Sequence, residues 1–319
     1  MTDHALLRRH GLFDAKVPRY TSYPPATRFA VPVGEENQAA WLAGVREGEE
    51  VSIYIHIPFC RRLCWFCACR TQGTQTLSPV ASYVETLLTE VDAVRARLPD
   101  SVRMARLHLG GGTPTLLSPD LMDLLLSAVF DAFPKAEDFE FSVEIDPTEA
   151  APGVIEALGR WGMTRASIGV QDFHEIVQKA IGRMQSFDET ADAVRRLRKL
   201  DLHSLNFDLL YGLPFQTKER LAETIDQVLD LSPDRIALFG YAHVPKMSKR
   251  QVLIPESELP APEARFELSS LAKGILEGAG YVTLGIDHYA KPEDSLARAM
   301  AERTMRRNFQ GYTDDPCET

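Results

Sequence analysis

Phe139-Glu140-Phe141-Ser142-Val143-Glu144-Ile145-Asp146 reads as a strand with two unlike faces. Successive side chains of a strand point to opposite sides. Phe139, Phe141, Val143 and Ile145 therefore share an apolar face, and Glu140, Ser142, Glu144 and Asp146 a polar one. The alternation recurs on both sides of this stretch. Upstream, Ile53, Ile55 and Ile57 alternate with Ser52, Tyr54 and His56. Downstream, Ala166, Ile168 and Val170 alternate with Ser167, Gly169 and Gln171, and Leu205, Phe207 and Leu209 with Asn206 and Asp208.

Similar short runs at 51–57, 105–109, 165–170, 204–210, 235–241 and 281–286 complete a set of expected strands. Helical periodicity fills the intervals at 80–97, 120–133, 154–161, 188–200, 218–231 and 263–277. Strand and helix in alternation predict an α/β fold with a parallel sheet. Parallel strands buried on both faces usually read as continuous apolar runs, so a polar face needs a reason. An antiparallel sheet with one wet face is one explanation, but the intervening helices argue against it. Closed eight-stranded barrels mostly fill their lumen with branched side chains. A polar lumen therefore predicts a more open, partial (β/α)6 barrel holding a polar ligand.

The expected organisation is a barrel core over 50–290, preceded by an arm over 1–49 that covers the cavity. That arm, with Pro18, Pro24, Pro25 and Pro32, reads as irregular. Residues 291–319 read as the start of a C-terminal segment.

A chain of 319 residues suits one large core or two modest domains. Its formal charge of −10 argues against a nucleic-acid binder, because phosphate binding needs a surplus of Lys and Arg. An anionic small substrate needs only a few placed cations and stays open. The first residues lack an apolar signal core, and no apolar run is long enough to span a bilayer. The expectation is a cytoplasmic protein with no membrane span, working as a monomer.

Four of the five cysteines fall within ten positions, in Cys60-Arg-Arg-Leu-Cys64-Trp-Phe-Cys67-Ala-Cys69, directly after the first strand. In a reducing compartment such a cluster reads as a metal site. Thiolates at Cys60, Cys64 and Cys67 can wrap three corners of a [4Fe–4S] cubane and leave one iron open. Structural zinc, the alternative, generally uses two separated ligand pairs, and ferredoxin runs use another spacing. Cys69 is expected beside the cluster without binding it, since a fourth thiolate would fill the open iron. Cys317 reads as a free surface thiol.

Gly110-Gly111-Gly112-Thr113-Pro114 follows the second strand, where consecutive glycines let backbone approach a ligand closely. Glu144 and Asp146 end the third strand, Gln171 and Asp172 the fourth, and Asp208 lies on the fifth. Barrel enzymes build their sites at that end. These acids are therefore candidates for hydroxyl and amino groups of a ligand.

The cysteine spacing after a first barrel strand resembles the radical S-adenosylmethionine (SAM) superfamily. The resemblance implies SAM chelated at the open iron and cleaved by one electron, yielding a 5′-deoxyadenosyl radical that abstracts hydrogen from substrate. Longer stretches are similar to oxygen-independent coproporphyrinogen III oxidase (coproporphyrinogen dehydrogenase). They include Pro18–Pro24, Tyr54–Cys60, Cys67–Cys69, Gly110–Thr115, Glu144–Pro147, Gly169–Phe173, Asp208–Pro214, Tyr241–His243 and Arg307–Tyr312. That resemblance implies two bound SAM molecules and the conversion of two propionates of coproporphyrinogen III to vinyls in haem biosynthesis. Carried over by motif, Tyr54, Gly111 and Glu144 would contact the SAM on the cluster. Phe66, Gly112, Thr113, Gln171, Arg183, Asp208 and Ala242 would contact the second SAM. Arg19, Tyr20 and Tyr23 are suspected substrate contacts. An electron donor and an electron acceptor, both unidentified, are implied as partners.

The rival within the superfamily is a haem-binding chaperone. That group lacks a cysteine at the place of Cys69 and lacks the 18–24 segment. In the oxidase family the chain runs on past Gln310–Thr313 into a helical C-terminal domain, whereas this sequence stops at Thr319. The resemblance thus implies a C-terminally shortened form, with impaired turnover, or an inactive fragment that keeps cluster and SAM.

Overall fold

A computed structural model describes residues 4–13, 23–25, 28–29 and 33–318. Six parallel strands form the body of one sheet: β1 (Glu50–Ile57), β2 (Arg103–Gly111), β3 (Lys135–Ile145), β4 (Arg165–Gln171), β5 (Ser204–Tyr211) and β6 (Arg235–Gly240). Helices α1 (Ser78–Arg95), α2 (Pro119–Ala132), α3 (Pro152–Arg160), α4 (Phe187–Leu197), α5 (Lys218–Asp230) and α6 (Pro262–Gly278) follow the strands in turn. Each strand pairs parallel with the next, which fits the short crossovers of a βα repeat.

Local chemistry sets the helix starts. Ser118 accepts from the Leu121 N–H before α2, with Pro119 at its first position. Ser186 and Glu189 form a capping box at α4. Thr217 caps α5.

Beyond β6 the expected seventh strand over 281–286 is replaced by a hairpin. β7 (Val282–Leu284) turns at Gly285–Asp287 into β8 (His288–Ala290), and β8 is the one that pairs with β6, antiparallel. The apolar run was too short to reveal a turn inside it. The sheet order is β1-β2-β3-β4-β5-β6-β8-β7, so among the described residues β1 is an edge strand and the sheet does not close into a barrel.

The alternating strands divide the two sides of this sheet as their pattern requires. Leu107, Leu109, Phe141, Val143, Ile168 and Phe207 have no exposed surface and pack beneath the helices. Burying each such side chain is worth about 1.5–3 kcal/mol. Ser52, Tyr54, His108, Glu140, Ser142, Glu144, Ser167, Asn206 and Asp208 line a chamber of about 310 Å³ on the inner side. The polar lumen is real.

After helix α7 (Ser295–Ala301), residues 306–313 pair in a short hairpin, and the following acids reach across the open barrel. Asp315 accepts from the Ser52 hydroxyl on β1, while Asp314 accepts from Ser295 and lies 3.4 Å from Arg235 of β6. The segment thereby joins strands at opposite ends of the parallel array. Cys317 is free, as expected, but part-buried against it, and burial pushes its pKa up to about 11.

The N-terminal arm is not irregular throughout, because it contains helices His4–Arg9 and Glu35–Ala43. His4, Phe13 and Phe266 of α6 pack edge to face. Arg19 and Tyr20 lie outside the described residues. No helix among the described residues is long and apolar enough to cross a membrane.

Candidate active site

A cavity of about 230 Å³ opens at the carboxyl ends of the strands. Cys60, Cys64, Cys67 and Cys69 lie on it, with Gly111, Gly112 and Thr113 of the turn after β2. Glu144, Asp146, Ser167, Gln171, Asp208, Phe66 and Arg183 complete much of the wall.

The cysteine loop is held from several directions. The Trp65 N–H donates to the Ile181 carbonyl at 2.9 Å. From the loop after β6, Ser248 donates to the Cys67 carbonyl at 3.0 Å and Gln251 to the Phe66 carbonyl at 2.9 Å. Arg250 donates to Thr71 at 2.9 Å and to the Cys69 carbonyl at 3.3 Å. These clamps come from about 180 residues away, and no local pattern announced them.

The thiols are not equivalent. A hydrogen bond from the Cys69 side chain, joined by the Cys69 N–H and by Arg250 and Arg183, holds Cys67 below the ordinary thiol range. The same contact holds Cys69 well above it. The Cys69 backbone N–H donates to Cys67 Sγ at 3.4 Å. Burial pushes Cys60 up, against a hydrogen bond with Thr113.

Gly112 shows how closely the glycine turn approaches this loop. A Cβ there would lie 2.6 Å from the Phe59 carbonyl oxygen and 3.0 Å from Cys60 Sγ. Buried Nε atoms of Arg62 and Arg183 have no hydrogen-bond partner among the described residues. The cradle, the soft thiol donors and the unspent cationic donors fit a thiolate-held iron–sulfur cluster with an anionic ligand beside it.

Glu144 lies at the centre of the second wall. Its carboxylate accepts from the Gly111 N–H at 3.0 Å and sits 3.5 Å from His108 Nε2. His108 in turn shares a 2.6 Å hydrogen bond with Ser142 through Nδ1 and stacks on Tyr54. Asp208 accepts from Asn206 at 2.9 Å and from Ser167 at 3.2 Å. Burial, helped by the charge of Glu144, raises it to about 6.

These features match known proteins. The sequence model of the radical SAM superfamily covers residues 54–228. An anaerobic coproporphyrinogen III oxidase of Cereibacter sphaeroides is 56% identical over 319 residues, all of this chain and 71% of that protein. The oxygen-independent coproporphyrinogen III oxidase of Paracoccus denitrificans is 54% identical, over 100% of this chain and 70% of its own. The chain belongs to the oxygen-independent coproporphyrinogen III oxidase family. A solved coproporphyrinogen III oxidase from Escherichia coli, described as a radical SAM enzyme, superposes with a TM-score of 0.90 at 35% identity. That alignment covers 99% of this chain and 70% of the other. Radical SAM membership carries with it a [4Fe–4S] cluster and SAM in place of zinc.

Within this family framework, the cavity gathers most of the residues singled out by motif. Cys60, Cys64, Cys67, Phe66, Gly111, Gly112, Thr113, Glu144, Gln171, Arg183 and Asp208 all line it. Tyr54 does not; it faces the polar chamber beneath, with Phe309 against its ring. Ala242 is exposed on the loop after β6 and is not among the lining residues. Tyr23 is 60% exposed, and its N–H donates to the Asn308 carbonyl at 2.7 Å.

Asp172 is a correction. It has no exposed surface and turns away from the cavity toward Thr224 and Gln216. The cause is Gln171, whose φ of +69° and register shift form a bulge at the end of β4. A bulge re-aims the side chains that follow it, so Gln171 enters the cavity and Asp172 leaves it. Arg62, Arg250 and Thr71 also line the cavity. A single cation or hydroxyl in a loop carries no period, so no sequence pattern marks these three.

Proposed function

We propose that the chain oxidatively decarboxylates two propionate side chains of coproporphyrinogen III to vinyls, giving protoporphyrinogen IX in oxygen-independent haem synthesis. The observation that carries this reading is one cavity where three loop cysteines face Glu144, Gln171, Arg183 and Asp208 across the glycine turn. Each vinyl group formed requires the loss of one hydrogen atom, carbon dioxide and one electron from the propionate. Bound cluster and SAM supply the means to remove that hydrogen atom from an unactivated carbon.

The chain's own residues bind and orient. Cys60, Cys64 and Cys67 would hold the cluster, and Cys69 would donate to Cys67 without ligating iron. Gly111 and Glu144 would receive the amino group and ribose of a first SAM, the Gly111 N–H fixing the carboxylate. Tyr54 would act on that first SAM from the chamber below, through its stack on His108. Phe66, Gly112, Thr113, Gln171, Arg183 and Asp208 would receive a second SAM, with Ala242 at its outer edge. At neutral pH Asp208 is ionised, and Asn206 and Ser167 hold it in place for a ligand hydroxyl. Arg19, Tyr20 and Tyr23 of the arm are proposed to meet the substrate carboxylates. A reducing cytoplasm is the proposed compartment, since the cluster ligands must stay free thiols. A one-electron donor, an electron acceptor and a monomeric state complete the reading.

The test is anaerobic reconstitution with iron and sulfide, reduction, and addition of SAM with and without coproporphyrinogen III. Methionine and 5′-deoxyadenosine are followed by chromatography, and porphyrin products by mass. Mono- and divinyl products support the proposal. SAM cleavage with coproporphyrinogen untouched, or tight haem binding instead, would refute the decarboxylase reading.

A further inference from the structure

We infer that Arg183 is a positioning residue that sets the reduction potential of the cluster, acting through the sulfur of Cys64. The inference rests on the cluster reading of Cys60, Cys64 and Cys67 given above.

Arg183 sits where such an effect is strongest. The residue is 8% exposed, and its Nη1 lies 3.5 Å from Cys64 Sγ in hydrogen-bonding geometry. Nη2 donates to the Gly169 carbonyl at 2.9 Å and to Gln185 Oε1 at 2.8 Å, which fixes the plane of the guanidinium. Gln185 is itself fixed, donating to Thr190 at 3.0 Å and accepting no freedom from solvent at 1% exposure. Cys64 is buried as well.

The backbone around Arg183 is docked onto the cysteine loop as one piece. The Ile181 carbonyl accepts from Trp65, and the Met184 carbonyl accepts from Arg62 at 2.6 Å. Between them the indole of Trp65 lies against Gly182, where a Cβ would come within 2.7 Å of the ring. Gly182 also has a φ of +64°, a conformation that disfavours most side chains, and the ring leaves no room for a Cβ. So many contacts to hold one side chain against one sulfur exceed what contact with a ligand alone requires.

A buried guanidinium stays charged. Reduction adds negative charge to the cluster and its thiolates. A nearby cation favours that state, the more so in a medium of low dielectric. Hydrogen bonds to the sulfurs are one of the levers on cluster potential. The Asp146 carboxylate, 3.3 Å from Arg183 Nη1, works in the opposite sense by offsetting that charge. The pair therefore makes a prediction with two signs.

The test is the midpoint potential of the full chain after anaerobic reconstitution, without SAM, by mediated titration with dithionite and detection of the reduced-cluster EPR signal. Arg183→Met should shift the midpoint to more negative potential. Asp146→Asn, which keeps the oxygen that accepts from Thr148, should shift it to more positive potential. Arg183→Lys should fall between wild type and Arg183→Met. Loosened packing alone would not give shifts of opposite sign. If Arg183→Met fails to hold iron, the Asp146→Asn shift decides, and its absence overturns the inference. Variants that hold the cluster at the wild-type potential overturn the inference and leave the cluster reading intact. A wild type without the EPR signal overturns the cluster reading, and the inference with it.

Discussion

The side-chain amide of Gln216 donates at 2.7 Å to Oδ2 of Asp172, joining the end of β4 to the loop after β5 beneath the cavity. Neither group can turn over. Gln216 Oε1 already accepts from the Gly212 and Leu213 N–H groups at 2.7 and 3.2 Å. Asp172 Oδ1 accepts from the His174 N–H at 2.7 Å and from Thr224 at 3.2 Å.

Asp172→Asn should therefore destabilise the fold although it is nearly isosteric. Its new amide would face the amide of Gln216, leaving a buried donor unpaired at a cost of about 1–3 kcal/mol. Urea unfolding measures this, and an unchanged midpoint would show that the network can rearrange.

The same carboxyl makes stability depend on pH. Burial raises Asp172 to about 6, against its three donors. The folded state thus keeps a proton that the unfolded chain gives up near pH 4. This contribution is fully present below about pH 4 and is lost as pH rises through about 6. The stability advantage of wild type over Asp172→Asn should shrink by roughly 1 kcal/mol between pH 5 and 7. An advantage that grows with pH would contradict the assignment. Asp208, raised to about 6 as well, is common to both proteins and cancels in the comparison.

Gly112→Ala tests the cradle. The added methyl meets the Phe59 carbonyl at 2.6 Å, and backbone cannot rotate away as a side chain can. Displacement of the cysteine loop should lower iron bound per chain after reconstitution. Full iron content with unaltered spectra would mean that the turn does not touch the cluster.

Single replacement of Cys60, Cys64 or Cys67 by Ala should abolish cluster assembly, whereas Cys69→Ala should retain it. The Cys69 backbone N–H donates to Cys67 Sγ at 3.4 Å, a contact that alanine keeps, so the change removes no ligand. Iron and sulfide analysis separates the four variants, and loss of iron from Cys69→Ala would make it a ligand.

Glu144→Gln should weaken SAM binding about tenfold at unchanged iron content, since a charge-assisted hydrogen bond becomes a neutral one. Calorimetry on the reconstituted protein reads the affinity directly. Equal affinities would move the SAM contact elsewhere.

By itself the sequence determined the βα order, the polar inner face and the cysteine loop. Each is a local property. Side chains alternate along a strand whatever the strand packs against, so Glu140, Ser142 and Glu144 were bound to share a face opposite Phe141 and Val143. Cys60, Cys64 and Cys67 fall within eight positions of one loop, so the sequence alone keeps them near one another. Tertiary structure alone decided which polar residues reach the cavity. A left-handed Gln171 turned Asp172 out of it, and register left Tyr54 one chamber below. Ser248, Arg250 and Gln251 came to the cysteine loop from a loop about 180 residues later. The turn that splits 282–290 into a hairpin and the acids that tie β1 to β6 are of the same kind. Contacts between residues far apart in the chain leave no period in it, and they appear only once the sheet has set strand against strand.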